Sequence, residues 1–183
     1  MIEEKRPFKG KKLNEKIGEY TVVDIETTGF SPMHNKIIEI AAVKIKDGKE
    51  IDEFSMLVNP GVSISRAITS LTGITNEMVK TAADISSVIK DFDSFVGDSI
   101  IVGHNVHFDI NFLYDNMENE IGKTLSNDFI DTMYMSRHLV KGLENYKLSS
   151  VSKHFDVDYV DAHRAINDCR FTYKCYESLK ELL

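Results

Sequence analysis

The feature that most constrains this chain is a change of hydrophobic rhythm near residue 60. Before that point apolar side chains come in β-rich runs. Residues 20–25 form one, and residues 36–45 form a second with Ile37, Ile38, Ile40, Ala41, Ala42, Val43 and Ile45. Asp47-Gly48 follows as a hairpin signal, and a third strand spans about residues 50–58 and stops at Pro60. Three strands on short links predict an antiparallel meander. Beyond it the period becomes helical. Ile85, Val88, Ile89, Phe92, Phe95 and Val96 share one stripe, with Asp84 at the N-cap position and Gly97 as the stop. Residues 99–103 then read as a short buried strand, and Ile110, Leu113 and Met117 mark a helix after it. A fifth strand falls at residues 129–132, a helix at 147–155, and a last helix runs to about Leu182 on Ile166, Cys169, Tyr173, Tyr176 and Leu179.

The order β-β-β-α-β-α-β-α-α calls for an α/β fold: a mixed five-stranded sheet, antiparallel meander plus parallel strands, flanked by helices. That is the ribonuclease-H-like arrangement. At 183 residues the chain fits one domain and buries roughly 70% of its unfolded surface without a staple. Residues 1–19 stand apart. They carry six Lys/Arg against four Glu with no sustained apolar period, and read as a mobile basic arm ahead of a domain at 20–183. Cys169 and Cys175 read as reduced core residues. No apolar run approaches the ~20 residues of a membrane span, and the start lacks a signal-peptide core. The expectation is a cytoplasmic protein with no membrane partner.

Four short patterns interrupt this scaffold with polar chemistry. Asp24 and Glu26 lie at i and i+2 of an otherwise apolar strand, hence on one face. Two carboxylates side by side repel and call for a counter-charge, which a hard divalent cation supplies through oxygen ligands. Taken alone, such a pair is commonly a solvated loop feature. Thr27-Thr28-Gly29 follows, either as a close backbone approach to a ligand or as a plain turn into Ser31-Pro32. Asp109, in His104-Asn105-Val106-His107-Phe108-Asp109, falls at a strand-to-helix junction. It can meet Asp24 beyond the strand ends, or serve only as a favourable charge in a first helical turn. His163 precedes Asp168 by five residues. On a regular helix that offset leaves the side chains about 140° apart, so His163 belongs on a lead-in to the helix, where an imidazole suits proton transfer; a surface His beside an exposed Asp is the plainer reading. The formal charge of −7 argues against a nucleic-acid ligand for the whole surface, but not at a site whose metals face phosphate.

Taken in order, these motifs resemble the DEDDh exonucleases, most closely the epsilon-type proofreading exonucleases of bacterial DNA polymerase III, over roughly residues 20–182. Asp24-Ile25-Glu26-Thr27-Thr28-Gly29 matches the first family motif, His104-Asn105 with Phe108-Asp109 the second, and His163 with Asp168 the third. Leu71-Thr72-Gly73-Ile74-Thr75 and Asn145-Tyr146-Lys147-Leu148 match lesser stretches. Arg164 stands where the sister subclass carries tyrosine, which indicates the His subclass. The resemblance implies 3′–5′ removal of nucleotides from a single-stranded end by two divalent ions, Mg²⁺ or Mn²⁺. Asp24 would bridge both ions, Glu26 and Asp168 complete one site, Asp109 hold the other, and His163 act as base. Thr27, Thr28, Gly29, Leu71, Thr72, Gly73, His104, Asn105 and Phe108 are expected beside the substrate. DNA is favoured over RNA, with RNA 3′-end trimming and an inactive nucleic-acid-binding module as the alternatives; a polymerase subunit is a candidate partner. Residues 137–154 carry a net +3 ahead of the His163 motif, a possible phosphate track or a solvated face.

Overall fold

The structure, a computed structural model, describes residues 6–160 and 163–183. In chain order the elements are β1 (Glu19–Thr27), β2 (Ile37–Lys46), β3 (Lys49–Leu57), α1 (Arg66–Thr72), α2 (Asn76–Lys80), α3 (Ile85–Val96), β4 (Ile101–Gly103), α4 (His107–Ile121), β5 (Phe129–Asp131), α5 (Thr132–Leu139), α6 (Leu148–His154) and α7 (Ala165–Lys180). The strands form one five-stranded sheet in the order β3-β2-β1-β4-β5. The first three pair antiparallel; β1 with β4 and β4 with β5 pair parallel. The expected ribonuclease-H-like sheet is therefore present. Asp47 and Gly48 both sit at positive φ, 49° and 69°, the geometry a tight hairpin between twisted strands requires.

Period-2 alternation in β1 and β2 feeds two cores. Val23, Ile25, Ile40 and Ala42 pack under α3 and α4 with Val88, Ile89, Phe92, Ile110 and Leu113. Tyr20, Val22, Ala41, Val43 and Ile45 pack under α5 and α7 with Met135, Cys169, Tyr176 and Leu179. Both cysteines are buried and free. Asp84 caps α3 by accepting from Ser87 N–H at 2.8 Å, an interaction worth ~1 kcal/mol.

Three helices go beyond the expected order. α1 and α2, of seven and five residues, rest on the side-chain caps of Ser65 and Thr75 and are too short to carry a visible apolar period. α5 starts because Asp131 Oδ1 accepts from both Met133 and Tyr134 N–H, and its buried residues include Thr132 and Ser136, which hide its inner face from a hydrophobicity reading.

The basic segment expected as a separate arm is corrected from Arg6 onward; residues 1–5 lie outside the described residues. Leu13 N–H donates to Phe129 O at 2.7 Å and Phe129 N–H to Lys11 O at 2.9 Å, which extends the parallel side of the sheet past β5. Arg6 pairs with Asp115 at 2.6 Å, and Ile17 N–H donates to the Tyr176 hydroxyl at 3.1 Å. A Cβ at Gly10 would stand 1.9 Å from Asn127 O, so this approach needs glycine. Leu13 and Ile17 pack against the α7 core. Two apolar residues in a basic stretch make no period, yet they suffice when a strand edge offers unpaired backbone.

Candidate active site

The site arises where β1 outruns its neighbour. β4 pairs with only Thr21 and Val22 of β1, while β1 continues to Thr27. Past that end the sheet opens on one side. The Ile25 N–H lies in this stretch and donates instead to Asp109 Oδ1 at 3.1 Å, an oxygen carried by the first turn of α4. Asp24 and Glu26 share the face of Tyr20 and Val22, over which α7 runs, and α7 brings in Asp168. One oxygen from each of Asp24, Glu26 and Asp168 lies within 4.8 Å of the others. Asp109 stands at the flank of this trio, buried and held by the backbone of β1.

Packing these groups together resists their ionisation. Asp24 is held well above the usual carboxylate range by burial and then by the charges of Asp109, Asp168, Glu26 and Glu39. Burial and Asp168 push Glu26 to about 8, against the pull of Arg164. Burial raises Asp109 to about 8 despite its two backbone N–H donors. Asp168 is raised to about 6, burial outweighing His163 and the Tyr159 hydroxyl. Asp168 Oδ1 is buried without a hydrogen-bond partner, a costly state for a carboxylate oxygen. An orphaned oxygen within an all-oxygen donor set fits a hard divalent cation such as Mg²⁺ or Mn²⁺.

The lead-in to α7 sets the remaining geometry. His163 is exposed, two residues before the helix, at φ 65°. Its N–H donates to Asp168 Oδ2 at 3.2 Å, which ties the two motif residues through backbone rather than through side chains. Arg164 turns inward. Its Nη2 donates to Glu39 Oε1 at 2.7 Å and its Nε bridges both Glu39 oxygens at 3.2 Å. Ala165 N–H adds a bond to Glu39 Oε2 at 3.1 Å. Glu39 faces Glu26 across the β1–β2 ladder, a like-charge pairing that is unfavourable unless compensated. Arg164 compensates it and fixes the start of α7. Glu39, Arg164 and Tyr159 were missed as members of the site. A signal for Glu39 existed: it is the one charge within the seven-residue apolar stretch 37–43.

The residues expected beside the substrate divide in two. Thr27 Oγ1 donates to Gly29 O at 2.6 Å, and Thr28 Oγ1 accepts from Lys36 N–H at 2.9 Å. A Cβ at Gly29 would stand 2.5 Å from the Asn35 side-chain amide, so a larger residue there would have to displace Asn35. Thr72 is buried, with its hydroxyl donating to Ile68 O, and Gly73 closes α1 at φ 72°. Leu71 alone of that trio presents an exposed side chain. His104 is a brace: Nδ1 meets Thr132 Oγ1 and Nε2 meets Tyr146 O, both at 2.9 Å. A carbonyl only accepts, so Nε2 carries the proton, and burial lowers the ring's pKa. Asn105, at φ 62°, donates its N–H to Asp131 Oδ1. Phe108 packs on Phe112. The His104 brace also pins the basic stretch 137–154, whose Arg137, Lys141, Lys147 and Lys153 are all exposed.

The sequence profile of a family described as Exonuclease (RNase_T) matches residues 21–176. A PolC-type DNA polymerase III of Clostridium perfringens is 46% identical over 154 residues, covering 84% of this chain and 11% of that protein. Its Bacillus subtilis counterpart is 42% identical over 166 residues, 88% of this chain and 11% of that protein. The chain thus spans about a ninth of these relatives. They are PolC-type, which corrects the epsilon-type expectation. Among solved structures, exonuclease X bound to 5′-overhanging duplex DNA aligns with a TM-score of 0.71 and 27% identity over 88% of this chain and 90% of that one. E. coli exonuclease I with a dT13 oligonucleotide aligns at 0.77 over 90% and 41%, and at 17% identity shares the fold. No helix among the described residues is long and apolar enough to cross a membrane.

Proposed function

This chain belongs to the exonuclease family, and on that footing we propose that it is a metal-dependent 3′–5′ exonuclease that releases nucleoside monophosphates from single-stranded DNA ends, in proofreading or repair. The observation that carries the reading is the convergence of Asp24, Glu26 and Asp168 beyond the end of β4, with Asp168 Oδ1 buried and unbonded. Two divalent ions held by these three, with Asp109 at the second position, would supply charge relief for the phosphate and an acidified water. His163 takes the proton that the attacking water gives up, and its exposure lets that proton pass to solvent. The Asp168 carboxylate holds the His163 backbone while it does so. Leu71 and the Thr27–Gly29 turn orient the terminal nucleotide. DNA is favoured because the relatives are DNA polymerases and exonuclease X was solved with DNA; the same relatives make a polymerase a candidate partner.

The test is side-by-side digestion of matched 5′-labelled single-stranded DNA and RNA by the parent and Asp24→Ala, with Mg²⁺ or Mn²⁺. Stepwise shortening of DNA from its 3′ end by the parent alone is expected. Unaltered turnover by a folded Asp24→Ala protein, or products cut from the 5′ end, overturns the reading. Faster digestion of RNA moves the assignment to RNA trimming, and no product with either metal moves it to a binding module.

A further inference from the structure

Lys9, Lys11 and Lys12 enter the structure in an unusual way for surface lysines. They sit on the segment that extends the sheet past β5, where two backbone hydrogen bonds and the Lys11 N–H bond to Asp128 Oδ1 fix its course. Among the described residues none of the three is ion-paired, although Lys46, Lys123 and Lys180 each meet a carboxylate. Two of the three reach rings instead. Lys12 Nζ stands 3.3 Å from the centroid of the Tyr134 ring, whose other neighbour is His138 at 4.1 Å. Lys9 Nζ donates to Asn111 Oδ1 at 2.6 Å and approaches His107 Nδ1 at 3.5 Å. Burial, and after it the Arg6 charge, hold the Lys9 ammonium below its ordinary range, against the pull of Asp115. In a chain of formal charge −7, this is an ordered group of lysines and rings, with the half-buried Asp128 beside it and with Asp115 and Asp131 near enough to act on Lys9 and His107.

We propose that this face is a binding track for the single-stranded nucleic acid that leads away from the carboxylate site. The proposal rests on the exonuclease reading and deepens it by naming where the upstream strand lies. Three observations converge. The face lies along the parallel side of the sheet, and His107 precedes Asp109 by two residues at the start of α4, so one helix terminus borders both. Unpaired ammonium groups complement phosphates, and exposed rings are the usual platform for unpaired bases. The distance suits an upstream subsite. From β1 across β4 and β5 to the added segment is three strand spacings, roughly 14 Å, or about four nucleotides at a stacked phosphate repeat of ~3.4 Å.

The experiment compares the parent with Lys9→Gln, Lys11→Gln and Lys12→Gln combined, since Gln keeps the stems and the backbone pairing. Equilibrium binding of a fluorescent single-stranded 20-mer is measured in Ca²⁺ across a salt series. Cleavage of a dinucleotide and of a length ladder is measured in Mn²⁺. Three lost phosphate contacts should weaken 20-mer binding about tenfold and lower the salt slope by roughly 2. The dinucleotide, too short to reach the lysines, should be cleaved at the parent rate, with the deficit appearing from about four to five nucleotides upward. Unchanged 20-mer binding and salt slope in a variant with the parent's unfolding midpoint overturns the track, as does equal loss on the dinucleotide. A parent that binds the 20-mer through these lysines but cleaves neither substrate leaves the track standing and removes the exonuclease reading.

Discussion

Glu26→Gln should make the metal-free protein more stable and the metal-loaded protein less so. Glu26 moves from an ordinary 4.5 to about 8 in the fold. Below pH 4.5 both folded and unfolded chains hold the proton and the group is neutral to stability. Between those values the unfolded chain ionises and the folded chain does not, so the fold loses up to ~1.4 kcal/mol per pH unit. By pH 7 the accumulated cost is about 3.4 kcal/mol, of which partial exposure screens some, leaving about 2–3 kcal/mol that Gln should restore. At pH 5 the gain should be under about 1 kcal/mol. Divalent metal reverses the order: the parent gains about 2.7 kcal/mol at a hundredfold excess over Kd, and the variant gains little. Urea unfolding at pH 5 and pH 7, in chelator and in Mn²⁺, reads all of these. A variant whose stability in chelator tracks the parent's across that interval, or that gains as much from Mn²⁺, refutes the argument.

Three further outcomes are expected. His163→Ala should slow single-turnover cleavage roughly 10²–10⁴-fold while Mn²⁺ affinity by calorimetry stays near that of the parent; loss of metal binding instead would remove its role as base. Glu39→Gln should destabilise the fold by about 1–3 kcal/mol in thermal melts and lower kcat under conditions where the variant is fully folded, because Arg164 and the start of α7 lose their anchor; unchanged kcat would make the Glu39 contact purely structural. Neutralising Lys141, Lys147 and Lys153 together should raise KM on long strands and flatten its salt dependence with kcat unchanged, and a constant salt slope would return those lysines to the solvated face.

What could be read from sequence depended on whether a feature was local. The Asp47-Gly48 hairpin, the Asp84 cap and the i, i+2 pairing of Asp24 with Glu26 are each set within a few residues, and each has its expected geometry. The five-residue offset of His163 and Asp168 likewise implied a break before α7, which is a positive-φ residue in the structure. Long-range hydrogen bonds were invisible. Asp109 carries a backbone duty to Ile25 from 84 positions away, and Arg164 answers Glu39 from 125 away. His104 was expected beside the substrate because it shares a motif with Asp109; its ring partners lie on α5 and at Tyr146. The epsilon-type likeness rested on a handful of motif residues, whereas identity to PolC-type chains is spread over 154 positions.

The two borders of the sheet are guarded by different means. β3 shows solvent Lys49, Glu50, Asp52 and Glu53, charges that discourage another strand from docking. β5 has three residues, all buried, and its outward backbone is masked by residues 11–13. A recombinant domain trimmed to begin at Glu19, where β1 starts, would therefore strip one border bare. It would also remove the Ile17 N–H and Glu15 carbonyl that meet the Tyr176 hydroxyl. Self-association at that open margin is the expected consequence, so a workable boundary for expression lies upstream of Arg6.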